Sequence, residues 1–306
     1  MEEVKVFAPA TVANVSCGFD VLGFCLDHVG DTVGVRKSNT PGVRITKIVG
    51  QELPLETKKN VAGVAVEALL EQIETPFGFE IEIEKGIKAG SGIGSSAASS
   101  AGAVVGVNAL LGNPFSRNEL ITFAMKGEEL ASGAAHADNV SPALLGGFTL
   151  VRCGKKPDVI SLPAPTELFA TIIHPKIELR TADARSVLKQ SISLDKAIQQ
   201  WGNVGALVSG LYTNNYELIS RALVDVIIEP ERSILIPHFD ELKATALAAG
   251  GLGGGISGSG PSLFTLSRGE KTAENVRQAL IKSFEPHGIP FDTFVSKINT
   301  HGAKIV

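Results

Sequence analysis

Lys88-Ala89-Gly90-Ser91-Gly92-Ile93-Gly94-Ser95-Ser96-Ala97-Ala98-Ser99 is a glycine and serine run set between two different patterns. Before it, Phe77 to Ile83 alternates apolar and polar residues, the period of a half-buried strand. After it, Ser95 to Leu111 is rich in alanine, valine and leucine and free of proline, which reads as a buried helix. Three glycines at alternate positions let the backbone visit positive φ and pass close to a bulky anion. The helix that follows offers unpaired N–H groups and a positive dipole end to a phosphate. Ser95, Ser96, Ala97 and Ala98 are small enough to leave that opening uncovered. The segment predicts a cradle for a polyphosphate.

Neither of the two familiar nucleotide loops fits it. A P-loop needs a lysine directly after its glycines, and none stands here. A dinucleotide fingerprint needs a third glycine where Ser95 stands and an acidic residue about 20 positions on, at a strand end. A true Gly-x-Gly-x-x-Gly occurs at Gly253, Gly255 and Gly258, but it follows a helix pattern (239–249) and precedes a strand pattern (262–266), the reverse of what that fold requires.

Outward from the loop, strand patterns occupy Val4–Pro9 and Thr32–Lys37, and a helix pattern occupies Val61–Glu74. Ser116 and Glu119 form a capping box ahead of a helix that runs to about Ser132. Gly146 to Val151 returns as a strand. A glycine, lysine and proline-rich stretch over 153–166 marks the best domain boundary, which divides the chain into 1–160 and 161–306. Beyond it come a strand at 168–173, helices within 184–222, a helix at 238–249, a strand at 262–266, a helix at 271–284 and a strand at 292–298. Strands and helices alternate without the even cadence of a barrel or doubly wound sheet, so the chain reads as two α+β domains.

Composition excludes several classes. With 306 residues, 44% hydrophobic and 20% charged, the chain is long and apolar enough for two packed cores. A net charge of −4 without a basic stripe argues against nucleic acid as a partner. No apolar run approaches the roughly 20 residues that span a bilayer, and the first residues lack the pattern of a secretory signal. Cys17, Cys25 and Cys153 are sparse, odd in number and without metal spacing, as expected for small core residues of a cytoplasmic protein.

Four further clusters could carry chemistry. Asn14 and Asp20 are the strongly hydrogen-bonding groups of a polar turn over 8–23, although both residue types also cap ordinary turns. His136-Ala137-Asp138-Asn139 packs an imidazole, a carboxylate and a carboxamide into a small-residue loop. Glu128 and Glu129 end a helix where the dipole disfavours carboxylates, so one is expected at solvent and the other at a cation. Arg180, Arg185 and Arg232 stand near turns and suit a carboxylate, though most arginines are simply solvated. The glycine loop over 251–262 is too long for a helix stop and implies close approach to a ligand or to the first loop.

Taken in order, these segments resemble the GHMP kinases, over essentially the whole chain. Residues 87–98 match the family's phosphate motif, with Lys88 where proline is commoner and Ile93 where leucine is usual, and 251–262 match its third motif. The runs at 8–23, 136–142 and 229–232 are similar to the homoserine-phosphorylating branch of the family. The resemblance implies a ribosomal-protein-S5-like N-terminal domain that binds ATP, a ferredoxin-like C-terminal domain, a homodimer, and a place in threonine biosynthesis. By the same resemblance Arg185 and Arg232 read the α-carboxylate of L-homoserine, Asp20 and Asn14 its ammonium group, and His136 lines the pocket. Asn139 then lies at the attacking hydroxyl and Thr181 at the transferring phosphoryl group, while Ser96 and Glu128 hold Mg²⁺ against the triphosphate. An amide cannot act as a base at neutral pH, which implies transfer by positioning and charge stabilisation.

Overall fold

The computed structural model describes residues 2–152 and 157–306, so Cys153 and the start of the expected boundary stretch lie outside the described residues. The chain opens with a hairpin, β1 (Glu3–Ala13) and β2 (Leu22–Ser38), followed by β3 (Val43–Val49), α1 (Val61–Leu70) and β4 (Gly78–Glu84). Next come α2 (Ser95–Leu110), α3 (Arg117–Ser132), α4 (Val140–Leu145), β5 (Phe148–Arg152) and β6 (Asp158–Leu162). The first sheet runs β11-β1-β2-β4-β3, with β5 on β2 and β6 on β5, where β11 (Lys304–Ile305) is the last strand of the chain. Among the described residues only the β3–β4 pairing in this sheet is parallel.

The expected strands at Val4–Pro9 and Thr32–Lys37 are the legible ends of much longer ones. Residues 8–13 and 22–26 are buried throughout, so these halves lose the alternation that marks a half-exposed strand. The polar turn therefore shrinks from 8–23 to the eight residues that join Ala13 to Leu22. Helix α2 lies across this hairpin, flanked by α1 and α3, with 14 of its 16 residues buried. Its approach is close: a Cβ at Gly102 would sit 2.6 Å from Val33 Cγ2. That explains a helix with no polar face.

The second half builds β7 (Leu168–Pro175), α5 (Thr181–Ser186), α6 (Leu194–Thr213), α7 (Tyr216–Ala222) and α8 (Glu229–Arg232). It continues with α9 (Phe239–Ala248), β8 (Gly253–Ile256), β9 (Leu263–Arg268), α10 (Glu270–Phe284) and β10 (Phe291–Lys297). Its antiparallel sheet has the order β10-β7-β9-β8, which is the ferredoxin-like arrangement of strands, with α9 and α10 packed together and α5 to α8 inserted after β7. Both units are α+β, as the sequence predicts. One correction concerns the glycine segment at 251–262, read as a loop throughout. Gly253, Gly254 and Gly255 are strand β8, paired with Phe264 to Leu266 of β9. Side chains there would collide with their surroundings: a Cβ at Gly254 would lie 1.9 Å from the Phe264 carbonyl oxygen of β9, and one at Gly253 would lie 2.7 Å from Leu223 Cβ.

Candidate active site

At the start of α2 the backbone turns on Gly90, Gly92 and Gly94, with φ of +77°, +80° and +70°. Gly94 is the N-cap, and no side chain caps the helix, so its first-turn N–H groups have no intrahelical partner. A Cβ at Gly94 would lie 2.0 Å from Thr11 Oγ1 and 3.0 Å from Asn139 Oδ1. The opening is thus kept bare, as the sequence implies. Lys88, Ala89, Gly90, Gly92, Gly94, Ser95 and Ser96 line the cleft in front of it. Ser91, Ile93, Ala97 and Ala98, which belong to the same motif, have buried side chains behind the loop. The Ser95 hydroxyl also turns inward, donating to the Ile87 carbonyl (2.9 Å).

The second glycine segment holds this loop from the other domain. Ser257 Oγ donates to the Gly92 carbonyl (2.7 Å) and Ser262 Oγ to the Ser91 carbonyl (2.5 Å). Because Ser262 spends its proton on Ser91, His174 Nδ1, 3.1 Å from Ser262 Oγ, must be the protonated ring nitrogen. Its Nε2 is buried without a partner, and burial holds the imidazole below its usual range. This relay from β7 to the phosphate loop is invisible in sequence, where His174 looks like any strand residue. A second unforeseen group lies beneath the helix start. Lys85 Nζ donates to Asp31 Oδ2 (2.5 Å), Ser99 Oγ (3.0 Å) and the Ser95 carbonyl (3.1 Å). The other Asp31 oxygen accepts the Gly86 and Ile87 N–H groups, which locks the strand-to-loop joint.

Ser96 Oγ donates to Glu128 Oε2 at 2.6 Å. Gly127 lets α3 come this near, since a Cβ there would stand 2.2 Å from Ser100 Oγ. Burial pushes the Glu128 carboxyl above its ordinary range, opposed by hydroxyl hydrogen bonds from Ser96 and Ser132. Glu129 is exposed and paired with Lys126, so of the two glutamates it is the one at solvent. A buried carboxylate whose side-chain partners are neutral hydroxyls is short of positive charge. It suits a hard divalent cation that keeps most of its coordination for phosphate and water.

The opposite end of the cleft carries the charged cluster. Its turn is strained: Asn14, Val15, Ser16 and Asp20 all have positive φ without being glycine. Asn14 closes it, donating from Nδ2 to the Gly258 carbonyl and accepting from the Asp20 N–H (3.0 Å). Arg185 Nη2 reaches both Asp20 oxygens (2.9 and 3.1 Å) and donates to His136 Nε2 (2.9 Å), which must therefore carry no proton. Burial, with the two arginines, lowers the His136 pKa against the pull of Asp20. Arg232 is buried, donating to the Ala184 and Gly258 carbonyls. Burial and the neighbouring Arg185 push it down to about 10. Phe19, which sequence reasoning passed over, lies under both guanidinium groups at 5.3 and 4.9 Å. Arg180 is not part of the cluster; it pairs with Asp183 at the surface.

Between the two ends lie Asn139, whose Oδ1 accepts from Thr11 Oγ1 (2.8 Å), and Thr181, 3.4 Å from Ser259 Oγ. Asp138 is buried beside them, and burial together with Asp20 and Glu128 pushes its carboxyl up to about 7. The whole forms one cleft of about 1050 Å³, with an anion cradle at one end and paired charges of both signs at the other.

Residues 60–147 match the family model described as GHMP kinases N terminal domain, and 206–286 match GHMP kinases C terminal. A homoserine kinase of Chlorobium phaeobacteroides is 48% identical, with both chains covered in full. The crystal structure of homoserine kinase from Cytophaga hutchinsonii superposes with a TM-score of 0.96 at 51% identity, over 100% of this chain and 98% of that one. A Lactococcus lactis galactokinase, at 16% identity and a TM-score of 0.74 over 99% of this chain and 95% of that one, shares the fold.

Proposed function

The chain belongs to the GHMP kinases, and we propose that it transfers the γ-phosphoryl group of ATP to the side-chain hydroxyl of L-homoserine, yielding O-phospho-L-homoserine for threonine biosynthesis. The observation that carries this reading is the cluster of Asp20, His136, Arg185 and Arg232 facing an open helix N-terminus across one cleft. A zwitterion with a hydroxyl arm needs a carboxylate reader and an ammonium acceptor side by side, with an anion cradle within one side-chain length.

In this reading the triphosphate lies along Lys88 to Ala98, held by backbone N–H groups and the α2 dipole. Ser96 and Glu128 would hold Mg²⁺, which when bound neutralises charge between the β- and γ-phosphates. Arg185 and Arg232 receive the substrate carboxylate, while Asp20, with Asn14 holding its turn, receives the ammonium and His136 walls the pocket. The substrate oxygen bonds to the γ-phosphorus as the bond to the bridging oxygen breaks, and ADP leaves. Since Asn139 Oδ1 is occupied by Thr11, its amide N–H groups are left to orient the hydroxyl, and Thr181 flanks the phosphoryl oxygens. The hydroxyl proton departs late, onto the transferred phosphoryl group, so no strong base is required.

The experiment is ADP release with homoserine, mevalonate, galactose and shikimate as acceptors. ADP with homoserine alone is expected; ATP binding without turnover on homoserine would overturn the reading. We also propose the division at 160/161 and a homodimer in the cytoplasm. Leu194, Ile198 and Trp201 lie at helical spacing along α6 and are 67%, 49% and 58% exposed, which supports self-association. Sedimentation should give a dimer that Trp201→Glu weakens. Among the described residues no helix is long and apolar enough to cross a membrane.

A further inference from the structure

The charged end of the cleft is assembled from two segments far apart in the sequence. One is the turn between β1 and β2, which carries Asn14, Phe19 and Asp20; the other is the stretch 225–232, which carries Arg232. A single side chain of α6 joins them from behind. Gln200 donates from Nε2 to the Cys17 carbonyl (3.0 Å) and to Asp225 Oδ1 (2.8 Å), and its Oε1 accepts the Val226 N–H (3.0 Å). Both amide protons and the amide oxygen are thereby committed. Cys17 is buried in the middle of the strained turn, between Asn14 and Asp20. Asp225, also buried, organises the second segment. Its Oδ1 accepts the Ile227 and Ile228 N–H groups as well (2.9 and 3.0 Å), and its Oδ2 the Glu229 N–H (2.9 Å). These donors stand at the entry to α8, where the backbone has no partner of its own. The Ile228 carbonyl then receives the Arg232 N–H (3.0 Å), so contacts run unbroken from Gln200 through Asp225 and Ile228 to Arg232.

We propose that Gln200 is a positioning residue for the acceptor: it fixes the spacing between the turn that carries Asp20 and the helical turn that carries Arg232, and so the spacing at which an ammonium and a carboxylate are read together. The inference rests on the acceptor reading above. An α-amino acid bears both groups on one carbon, so its two readers must be held at one separation. On the cleft side the segments meet through the Phe19 ring under Arg232 and through the Gly258 carbonyl, which accepts from both Asn14 and Arg232. A cation–π contact holds over a broad range of separations, whereas the three bonds of Gln200 are directional. The amide is the group the place requires. A carboxylate there would face the Cys17 carbonyl and Asp225 with no proton to offer. Asn203, three residues on, ties α6 to the same stretch by donating to the Val224 carbonyl (2.8 Å), but among the described residues it makes no hydrogen bond to the β1–β2 turn. It separates the loss of an α6 contact from the loss of the spacing.

The test is steady-state kinetics of the full chain with homoserine and with the amino alcohol that matches it but lacks the carboxylate. Gln200→Met, near in volume but with no N–H to donate, should raise the homoserine KM about tenfold while kcat and the KM for ATP stay within about twofold, because it removes binding shared by ground and transition states. The preference for homoserine over the amino alcohol, taken as the ratio of kcat/KM values, should fall by about the same factor, since only a substrate that bears both groups uses the spacing. Gln200→Asn keeps the amide but shortens its reach; it should move both readings in the same direction and takes the place of the methionine variant if that chain does not fold. Asn203→Ala should lower the melting temperature and leave the homoserine KM and the preference as in the wild type. An unchanged homoserine KM and preference in the folded Gln200 variant would overturn the proposal. So would an equal rise in the KM for ATP, or an equal loss of preference in Asn203→Ala, since either would make the effect a general loosening. A wild-type chain that binds ATP without turning over homoserine would overturn the acceptor reading itself, and this inference with it.

Discussion

Asp138 is held in the wall of the cleft with Asp20 and Glu128 as its charged neighbours, and that environment decides its protonation. Its pKa rises from 3.8 to about 7, chiefly through burial and then through those two carboxylates. A carboxyl raised in the folded state favours the protonated form, so its contribution to stability is complete below about pH 4 and is lost as pH climbs through 7. Asp138→Asn removes this term. Its stability relative to wild type should therefore improve between pH 5 and pH 8 by about 2–4 kcal/mol, read from urea unfolding at each pH. A constant difference across that range would show that the carboxyl is not perturbed. Glu128 is raised by burial as well, but Ser96 and Ser132 offset it, and in the proposed reaction it works ionised. Glu128→Gln is expected to raise the Mg²⁺ concentration needed for half-maximal rate and to lower kcat/KM by roughly 10²-fold, with little change in homoserine KM. Asn139→Ala should instead lower kcat by roughly 10–100-fold at unchanged Mg²⁺ demand. Unchanged turnover in either variant would remove that residue from the mechanism.

The phosphate loop and the glycine segment that holds it form one unit, and their glycines differ in what they tolerate. Gly90 faces open space, so Gly90→Ala meets only the backbone penalty of φ +77°, about 1–2 kcal/mol. A Cβ at Gly92 would come within 2.6 Å of the Gly260 carbonyl oxygen and 2.7 Å of that of Ser257, both backbone atoms. Gly92→Ala must push the two segments apart, with loss of the Ser257 and Ser262 hydrogen bonds, at a cost of several kcal/mol. Thermal unfolding and ATP affinity should both separate the variants, with Gly92→Ala much the worse; equal behaviour would mean the segments are not packed as described. What could be read in advance follows the same line. The loop, the Ser116 capping box and the Ser96–Glu128 pairing rest on signals only a few residues wide or on family resemblance, and they were legible. The Lys85–Asp31 pair and the His174–Ser262–Ser91 relay join positions 54, 88 and 171 residues apart, and nothing local shows that those side chains meet. Strand β8 is not legible because three glycines mimic a loop when the groups that crowd them, the β9 backbone at Gly254 and Leu223 and Glu229 at its neighbours, are out of view.

Across the whole molecule the chain closes on itself. After β10 in the second sheet it returns to the first, where Asn299 accepts the Gly147 N–H (2.7 Å) and donates its own N–H to the Cys25 carbonyl (3.0 Å). Ala303 is fully buried and donates to the Ala143 carbonyl in α4, and β11 pairs Ile305 with Val6 at the edge of β1. Two residues of strand at the end of a chain carry no periodic signal, so this return was not legible. It has mechanical consequences, because α4 begins directly after Asn139 and the Ala143 N–H is bonded to the Asn139 carbonyl (3.2 Å). The last residues thus brace the short helix that sets Asn139 in the cleft, some 160 positions earlier in the sequence. Removing 302–306 deletes one buried alanine and three to four backbone hydrogen bonds, each worth about 1 kcal/mol net, and exposes β1 as an edge. The truncated chain should melt several degrees lower by calorimetry and aggregate more readily on heating. It should also lose kcat more than it gains in homoserine KM, since the positioning of Asn139 is disturbed while the arginine cluster on the far side of the cleft is untouched. A truncation that lowers the melting temperature but leaves kcat intact would confine the tail to stability and free Asn139 from its influence.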